Sequence, residues 1–199
     1  MIELALLRHG VTDWNQAQRL QGRADTELAP AGRQALAGKR LPERFADAPV
    51  YCSPLRRARQ TAALLGIERP RLEPALIEMD WGGYEGWTVG ELRTRLGPQM
   101  QADERRGLDF RPPGGESPRD VQMRLGAWLR QLAAASSGST AAVAITHKGV
   151  IRCLLALAYD WDMTGRQPVK LDWTALHVVV LGPDGGLRPG PVNLTLEDA

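Results

Sequence analysis

Two short apolar runs, each ending on a histidine between a cation and a glycine or beside a lysine and glycine, constrain this chain more than any other feature. Ile2 to Leu7 is apolar apart from Glu3 and stops at Arg8-His9-Gly10; Ala142 to Thr146 gives way at once to His147-Lys148-Gly149. Apolar runs of strand length suit strands buried on both faces, the habit of parallel sheets covered by helices. In open sheets of that kind, ligands gather beyond the carboxyl ends of the strands. The chain holds three histidines in all. Two of them therefore stand where such a sheet places its chemistry, and the architecture puts both on one rim. The third, His177, lies inside the run Leu176 to Leu181, where it reads as a strand residue with no chemical role.

Helical patterns alternate with these runs. Ala29-Pro30 opens one that extends through Arg40 and is ended by Leu41-Pro42. Pro49 to Cys52 reads as a short strand. Ser53-Pro54 reads as an N-cap with proline at the first helical position, leading into Leu55 to Leu65 and a stop at Gly66. Leu72 to Ile77 reads as extended. From Asp80 to about Gly115 the chain is rich in glycine, tryptophan and proline, with one helix over Val89 to Leu96. Arg119 to Ala135 is amphipathic, Val121, Leu125, Trp128, Leu129 and Leu132 sharing one face. A loop over Ser136 to Thr140, a mostly apolar helix over Val150 to Tyr159, a strand over Ala175 to Leu181, a turn at Pro183 to Gly186 and a last extended segment complete the pattern. The alternation predicts a three-layer α/β/α sandwich with a mostly parallel central sheet. One domain over residues 1–199 is expected, with residues 79–118 inserted as a lid or substrate wall.

Composition narrows the function. A net charge of +2 and the lack of a reading motif weigh against nucleic acid as a partner. No apolar stretch is long enough for a bilayer and the first residues lack the pattern of a secretion signal, so no membrane partner and a cytoplasmic location are expected. Two cysteines, Cys52 and Cys153, make no disulfide framework and no metal-ligand spacing. No metal and no cofactor are expected. Lysine occurs only at positions 39, 148 and 170, the remaining basic residues being arginine, whose planar fork suits phosphate or carboxylate.

Leu7-Arg8-His9-Gly10, with Thr12, Trp14-Asn15 and Gln21-Gly22-Arg23, resembles the signature of the histidine phosphatase superfamily, also called phosphoglycerate mutase-like. Three further blocks are similar to that family in the same order. They are Ser53 to Ala62, including Pro54-Leu55-Arg56-Arg57-Ala58; Leu76-Ile77-Glu78 with Gly82 or Gly83 and Glu85-Gly86; and Thr146-His147 with Gly149. The resemblance implies catalytic roles for His9, Glu78, Arg8, Arg57 and His147, phosphate binding by Arg8, Asn15, Arg57 and His147, and substrate contacts from Gln21 and Gly22. It also implies a small phosphorylated substrate and allows a homodimer. Lys148 departs from the small residue the family would lead one to expect there.

These residue types suit phosphoryl chemistry. A phosphomonoester carries nearly two negative charges that repel a nucleophile, and arginines neutralise them with paired, charge-assisted hydrogen bonds. A neutral imidazole on His9 can then attack phosphorus and form a phosphohistidine. The departing alkoxide needs a proton. Glu78 stands where the family carries its proton donor, among apolar neighbours Leu76, Ile77, Met79 and Trp81 that favour its protonated form; Glu85 is the alternative acid. His147 is expected to donate to the transferring group, helped by the amides that open the helix behind it. Arg56 and Arg59 read as a solvated helix face. Phe110 to Ser117, with Pro113-Gly114-Gly115-Glu116-Ser117, is similar to a segment of the phosphatase members and favours hydrolysis. Arg105, Arg106 and Arg111 keep a mutase-type pocket open as an alternative, and a catalytically silent phospholigand-binding protein is the other.

Overall fold

The strand that begins the chain shows how the layers are made. In β1 (Ile2–Arg8), Leu4 and Leu6 enter one apolar cluster and Ala5 and Leu7 another, on the opposite face of the sheet. Successive side chains of a strand point to opposite faces, so a strand apolar throughout must be covered on both. The structure, a computed structural model, describes residues 1–135 and 140–199; the loop expected over Ser136 to Thr140 falls, but for its last residue, outside the described residues.

After β1, the chain forms α1 (Asp13–Gln16), α2 (Pro30–Leu36), β2 (Lys39–Arg40), β3 (Val50–Cys52), α3 (Arg56–Leu64) and β4 (Arg71–Leu72). It continues through α4 (Val89–Leu96), α5 (Pro98–Glu104), α6 (Pro118–Ala135), β5 (Ala141–Thr146) and α7 (Lys148–Tyr159). It closes with β6 (Leu176–Leu181), β7 (Leu187–Pro189) and β8 (Glu197–Asp198). The main sheet has the order β4-β3-β5-β1-β6-β7. β1, β3, β4 and β5 are parallel, and β6 and β7 run antiparallel to their neighbours. α6 and α7 cover one face, where Val121, Leu125, Trp128, Leu129 and Leu132 pack with Val150, Ile151 and Leu154. α3 and the end of α2 cover the other through Leu36, Ala58 and Ala62. The expected α/β/α sandwich with a mostly parallel sheet is the fold.

Register brings the two histidine turns together. β1 and β5 are parallel with Leu7 beside Ile145 and Arg8 beside Thr146. The His9 amide donates to the Thr146 carbonyl at 2.9 Å, so the ladder holds to the point where both chains leave the sheet.

Three expectations are corrected. The helix opened by Ala29-Pro30 ends at Leu36, because Ala37 is extended and Lys39–Arg40 pairs instead with Glu197–Asp198. Lys39 and Arg40 there meet Asp198 and Glu197, partners nearly the whole chain away. The helix after β3 takes Leu55, not Ser53, as its N-cap and starts at Arg56; the Ser53 hydroxyl is engaged elsewhere. Leu72 to Ile77 is extended only at its start, Pro74–Leu76 being a turn of 3₁₀ helix capped by the Glu73 carboxylate. Helix α5 was not expected. Its Met100 packs beside Leu92 and Phe110 in the same core as α6. Among the described residues no helix is long and apolar enough to cross a membrane.

Candidate active site

At the carboxyl ends of β1 and β5 lies a cleft of about 620 Å³. Arg8, His9, Asn15, Gln21, Gly22, Arg57, Glu78 and Gly149 line it, together with Arg19, Trp81, Val89, Lys148 and Arg152. The imidazoles of His9, in its lining, and of His147, fully buried behind it, stand with ring centres 5.1 Å apart and planes tilted by 54°.

His9 is buried, and its Nδ1 is 2.7 Å from the Gly10 carbonyl oxygen. A carbonyl only accepts, so Nδ1 carries the proton and Nε2 keeps its lone pair. Burial, and then the positive charges of Arg57 and Arg8, hold the imidazole pKa well below its ordinary value. At neutral pH the ring is therefore uncharged. Gly10 is fixed in turn by its amide, which donates to the Thr61 hydroxyl of α3 at 2.9 Å.

His147 has both nitrogens engaged. Arg57 Nε donates to its Nδ1 at 3.2 Å, and its Nε2 is 2.7 Å from Ser53 Oγ. An arginine only donates, so this neutral ring carries its proton on Nε2 and gives it to Ser53. Burial first, then Arg57, keeps the ring uncharged.

Arg57 is fully buried in the first turn of α3. Its NH1 and NH2 donate to the carbonyls of Ala24 and Gly22 at 2.7 and 2.8 Å; with Nε given to His147, the second N–H of each terminal nitrogen remains for a ligand. Gly22 has φ +52°, and a Cβ there would fall 1.8 Å from Glu85 Oε1, so only glycine lets the loop pass here. Arg8 lines the cleft with its Nε buried and without a hydrogen-bond partner among the described residues. An unpaired buried donor is costly, and an anion in the cleft would satisfy it. Asn15 accepts from the Thr12 amide through its Oδ1, which orients its amide nitrogen as a donor. Gln21 accepts from Thr26 Oγ1 at 2.7 Å.

Glu78 is buried where the chain leaves its 3₁₀ turn toward residue 79. Its carboxyl accepts from the amides of Met79 at 2.8 Å and Gly149 at 3.2 Å. Desolvation raises its pKa and outweighs those amides and the two arginines, which lower it. The proton thus stays on Glu78 to a higher pH than on an ordinary carboxyl. The Gly149 amide at the start of α7, expected to serve phosphate, is given to this carboxyl instead. Glu85, the alternative acid, is outside the cleft. It accepts from the amides of Arg23 at 2.6 Å and Ala24 at 3.2 Å and so ties down the loop that holds Arg57.

With the geometry in place, comparisons with known proteins add a lineage. The sequence profile of the histidine phosphatase superfamily (branch 1) matches residues 4–188. The chain belongs to the histidine phosphatase superfamily. A bifunctional protein of Mycobacterium tuberculosis is 33% identical over 199 residues, covering 96% of this chain and 54% of that protein; this chain thus spans about half the length of that relative. Glucosyl-3-phosphoglycerate phosphatase of the same organism is 34% identical over 190 residues, covering 87% of this chain and 84% of that enzyme. The structure of mycobacterial glucosyl-3-phosphoglycerate phosphatase with VO3 superimposes with a TM-score of 0.78 at 27% identity, over 98% of this chain and 100% of that one.

Of the residues to which the resemblance assigns roles, Arg8, His9, Asn15, Gln21, Gly22, Arg57 and Glu78 line this cleft, and His147 is buried beside His9. Others named from sequence do not reach it. Arg105 donates to the Gln101 carbonyl, Arg106 faces Asp103, and Arg111 pairs with Asp120. Residues 79–118 contribute Trp81 and Val89 to the lining, while residues 15–22 contribute more of it. Arg56 is exposed against Glu27. His177 is buried in β6, accepting from the Asn193 amide. Sequence reasoning missed Ser53, Arg19 and Arg152. Arg152 was findable, since Lys148 and Arg152 are the two charged residues of an otherwise apolar α7 and stand one turn apart. Among the described residues no group of His, Cys, Asp and Glu is placed to hold a metal ion.

Proposed function

We propose that this protein hydrolyses small phosphomonoesters by way of a phosphohistidine on His9, with no metal ion in the reaction. The observation that carries the proposal is the fixed tautomer of His9, an uncharged ring whose Nδ1–H is held by Gly10 and whose Nε2 has no hydrogen-bond partner among the described residues. The phosphoryl dianion enters among Arg8, Arg57 and Asn15. Its negative charge raises the basicity of His147. That ring takes up a second proton from solvent on Nδ1, turns it to the ligand in place of its contact with Arg57, and returns it to solvent when phosphate leaves.

Nε2 of His9 then bonds to phosphorus as the ester P–O bond breaks. Glu78 delivers its proton to the departing oxygen, and the alcohol leaves. The phosphorylated ring is cationic, and its Nδ1–H remains bonded to Gly10, which spreads that charge. Water next attacks phosphorus while the Glu78 carboxylate takes its proton. The P–N bond breaks, releasing inorganic phosphate and a neutral His9. One carboxyl serves as acid and then as base, the two demands being met by a pKa raised above that of an ordinary carboxyl.

The likeness to glucosyl-3-phosphoglycerate phosphatase supports a metabolite-sized substrate, as does the volume of the cleft. The proposal is tested by measuring phosphate release from a panel of phosphomonoesters, with chelator present, for the native protein and His9→Ala. Release that survives chelation and vanishes with His9 is expected. Isomerised 3-phosphoglycerate without phosphate release would mean a mutase; binding of phosphate without turnover would mean a silent receptor.

A further inference from the structure

We propose that a second cleft beside the first is a subsite for another anion, so that the preferred substrate is a phosphomonoester bearing a second negative group, a carboxylate or a further phosphate. This rests on the first cleft being the phosphomonoester site. The second cleft has a volume of about 670 Å³ and is lined by Lys148, Arg152, Arg166, Lys170, Gln167 and Trp173, among others. Lys148 and Arg152 line both clefts. The two clefts therefore adjoin along these residues.

Four cations border the second cleft, and no carboxylate does. None of the four is in an ion pair among the described residues. Arg19, Arg23, Arg44, Arg93 and Arg119 show the contrast, since each meets a carboxylate. The acids nearest in sequence are turned to other work. Asp162 accepts from the amide and hydroxyl of Thr164, and Asp172 does the same for Thr174.

Trp173 holds this charge in place. Arg8 lies with its guanidinium carbon 5.9 Å from the indole centre, and the Lys148 ammonium lies 5.2 Å from it. One ring thus steadies a cation of the phosphate pocket and a cation of the second cleft. Arg152 rests on Trp161 at 5.3 Å. Such crowding of like charge is unfavourable without an anion; after desolvation, Arg8 and Arg152 depress the Lys148 ammonium pKa, and only Glu78, the weakest of these influences, raises it. In a chain whose net charge is only +2, an uncompensated cluster that opens into the reaction cleft fits a substrate anion better than general solubility does.

The test is calorimetric titration of His9→Asn protein, which binds without turnover, using two matched pairs of ligands. Glycerol 3-phosphate is set against 3-phosphoglycerate, and fructose 6-phosphate against fructose 1,6-bisphosphate. The expected result is a Kd about tenfold lower or better for the more charged member of at least one pair. Which pair shows it distinguishes carboxylate from phosphate as the second anion. Lys148→Gly and Arg166→Gln, each added singly to that background, are expected to abolish the preference, whereas Arg69→Gln, the same loss of one charge outside both clefts, is expected to keep it. Equal affinities within both pairs overturn the proposal, as does a preference that survives Lys148→Gly and Arg166→Gln or is lost equally in Arg69→Gln. The readout is binding, so failure of hydrolysis in the native protein would sink the catalytic reading without deciding this one.

Discussion

Replacing Gly149 by alanine tests the role of Glu78 without touching any ionisable group. The backbone of Gly149 has no left-handed φ, and it is the second residue of α7, so alanine fits the helix and is a better helix former there. Its Cβ, however, would lie 2.4 Å from Glu78 Oε1 and 3.2 Å from the carboxyl carbon, where ordinary contact begins at 3.4 Å. The carboxyl must retreat by about 1 Å, and a displacement of that size at a reacting group costs on the order of 100-fold in rate, or about 2.7 kcal/mol in the barrier. The loss should depend on the leaving group. An alkyl phosphate needs the proton from Glu78, whereas p-nitrophenolate leaves without help. We expect kcat/KM for glycerol phosphate to fall about 100-fold and that for p-nitrophenyl phosphate less than about fivefold, with Tm shifted by less than about 4 °C. Equal losses on both substrates with an unchanged fold, or rates within threefold of native on both, would refute the placement of Glu78 as the proton donor.

Other outcomes follow from the same geometry. On the proposed mechanism Glu78 acts protonated, and its pKa is raised, so kcat/KM for alkyl phosphates should decline as pH rises through that pKa. Glu78→Gln should remove this limb and lower the rate by about 10² to 10⁴, as a pH–rate profile will show. Glu85→Gln, by contrast, should retain the limb and lose less than about tenfold in rate, because Glu85 braces the 22–24 loop from outside the cleft. Stability carries its own signature. His9 and His147 have folded pKa values well below 6.5, so the unfolded chain binds more protons between those values and 6.5, and stability is lost as pH falls below 6.5. Each histidine contributes a slope of up to about 1.4 kcal/mol per pH unit in that window. Urea unfolding of His147→Asn at pH 5 to 7 should show a shallower dependence than the native protein, and an unchanged slope would contradict the neutral, desolvated state of that ring.

The parts legible in sequence were those where local pattern and tertiary outcome coincide. β1 and β5 are apolar throughout because both faces are covered, and a parallel register then forces His9 and His147 together. The stripe from Val121 to Leu132 marked α6 for the same reason. Ser53 shows where pattern misleads. Serine before proline reads as a helix cap, yet its hydroxyl is taken by His147 Nε2, 94 residues on, and the helix starts later. β2 was invisible because its partner is β8 at the other end of the chain. The electrostatic character of the cleft was only half readable. Arg8 and Arg57 were named, but whether an arginine meets a carboxylate or a cavity depends on contacts that no local pattern records, as Arg111 against Asp120 and Arg152 in the cleft illustrate.

The most direct measurement is capture of the covalent intermediate. Protein mixed with p-nitrophenyl phosphate, quenched within milliseconds in base and analysed by peptide mass spectrometry, should carry one phosphoryl group on the peptide containing His9. The adduct should be labile to acid and absent from His9→Asn. Steady release of inorganic phosphate with no phosphoryl group found on His9 at any quench time would contradict the account.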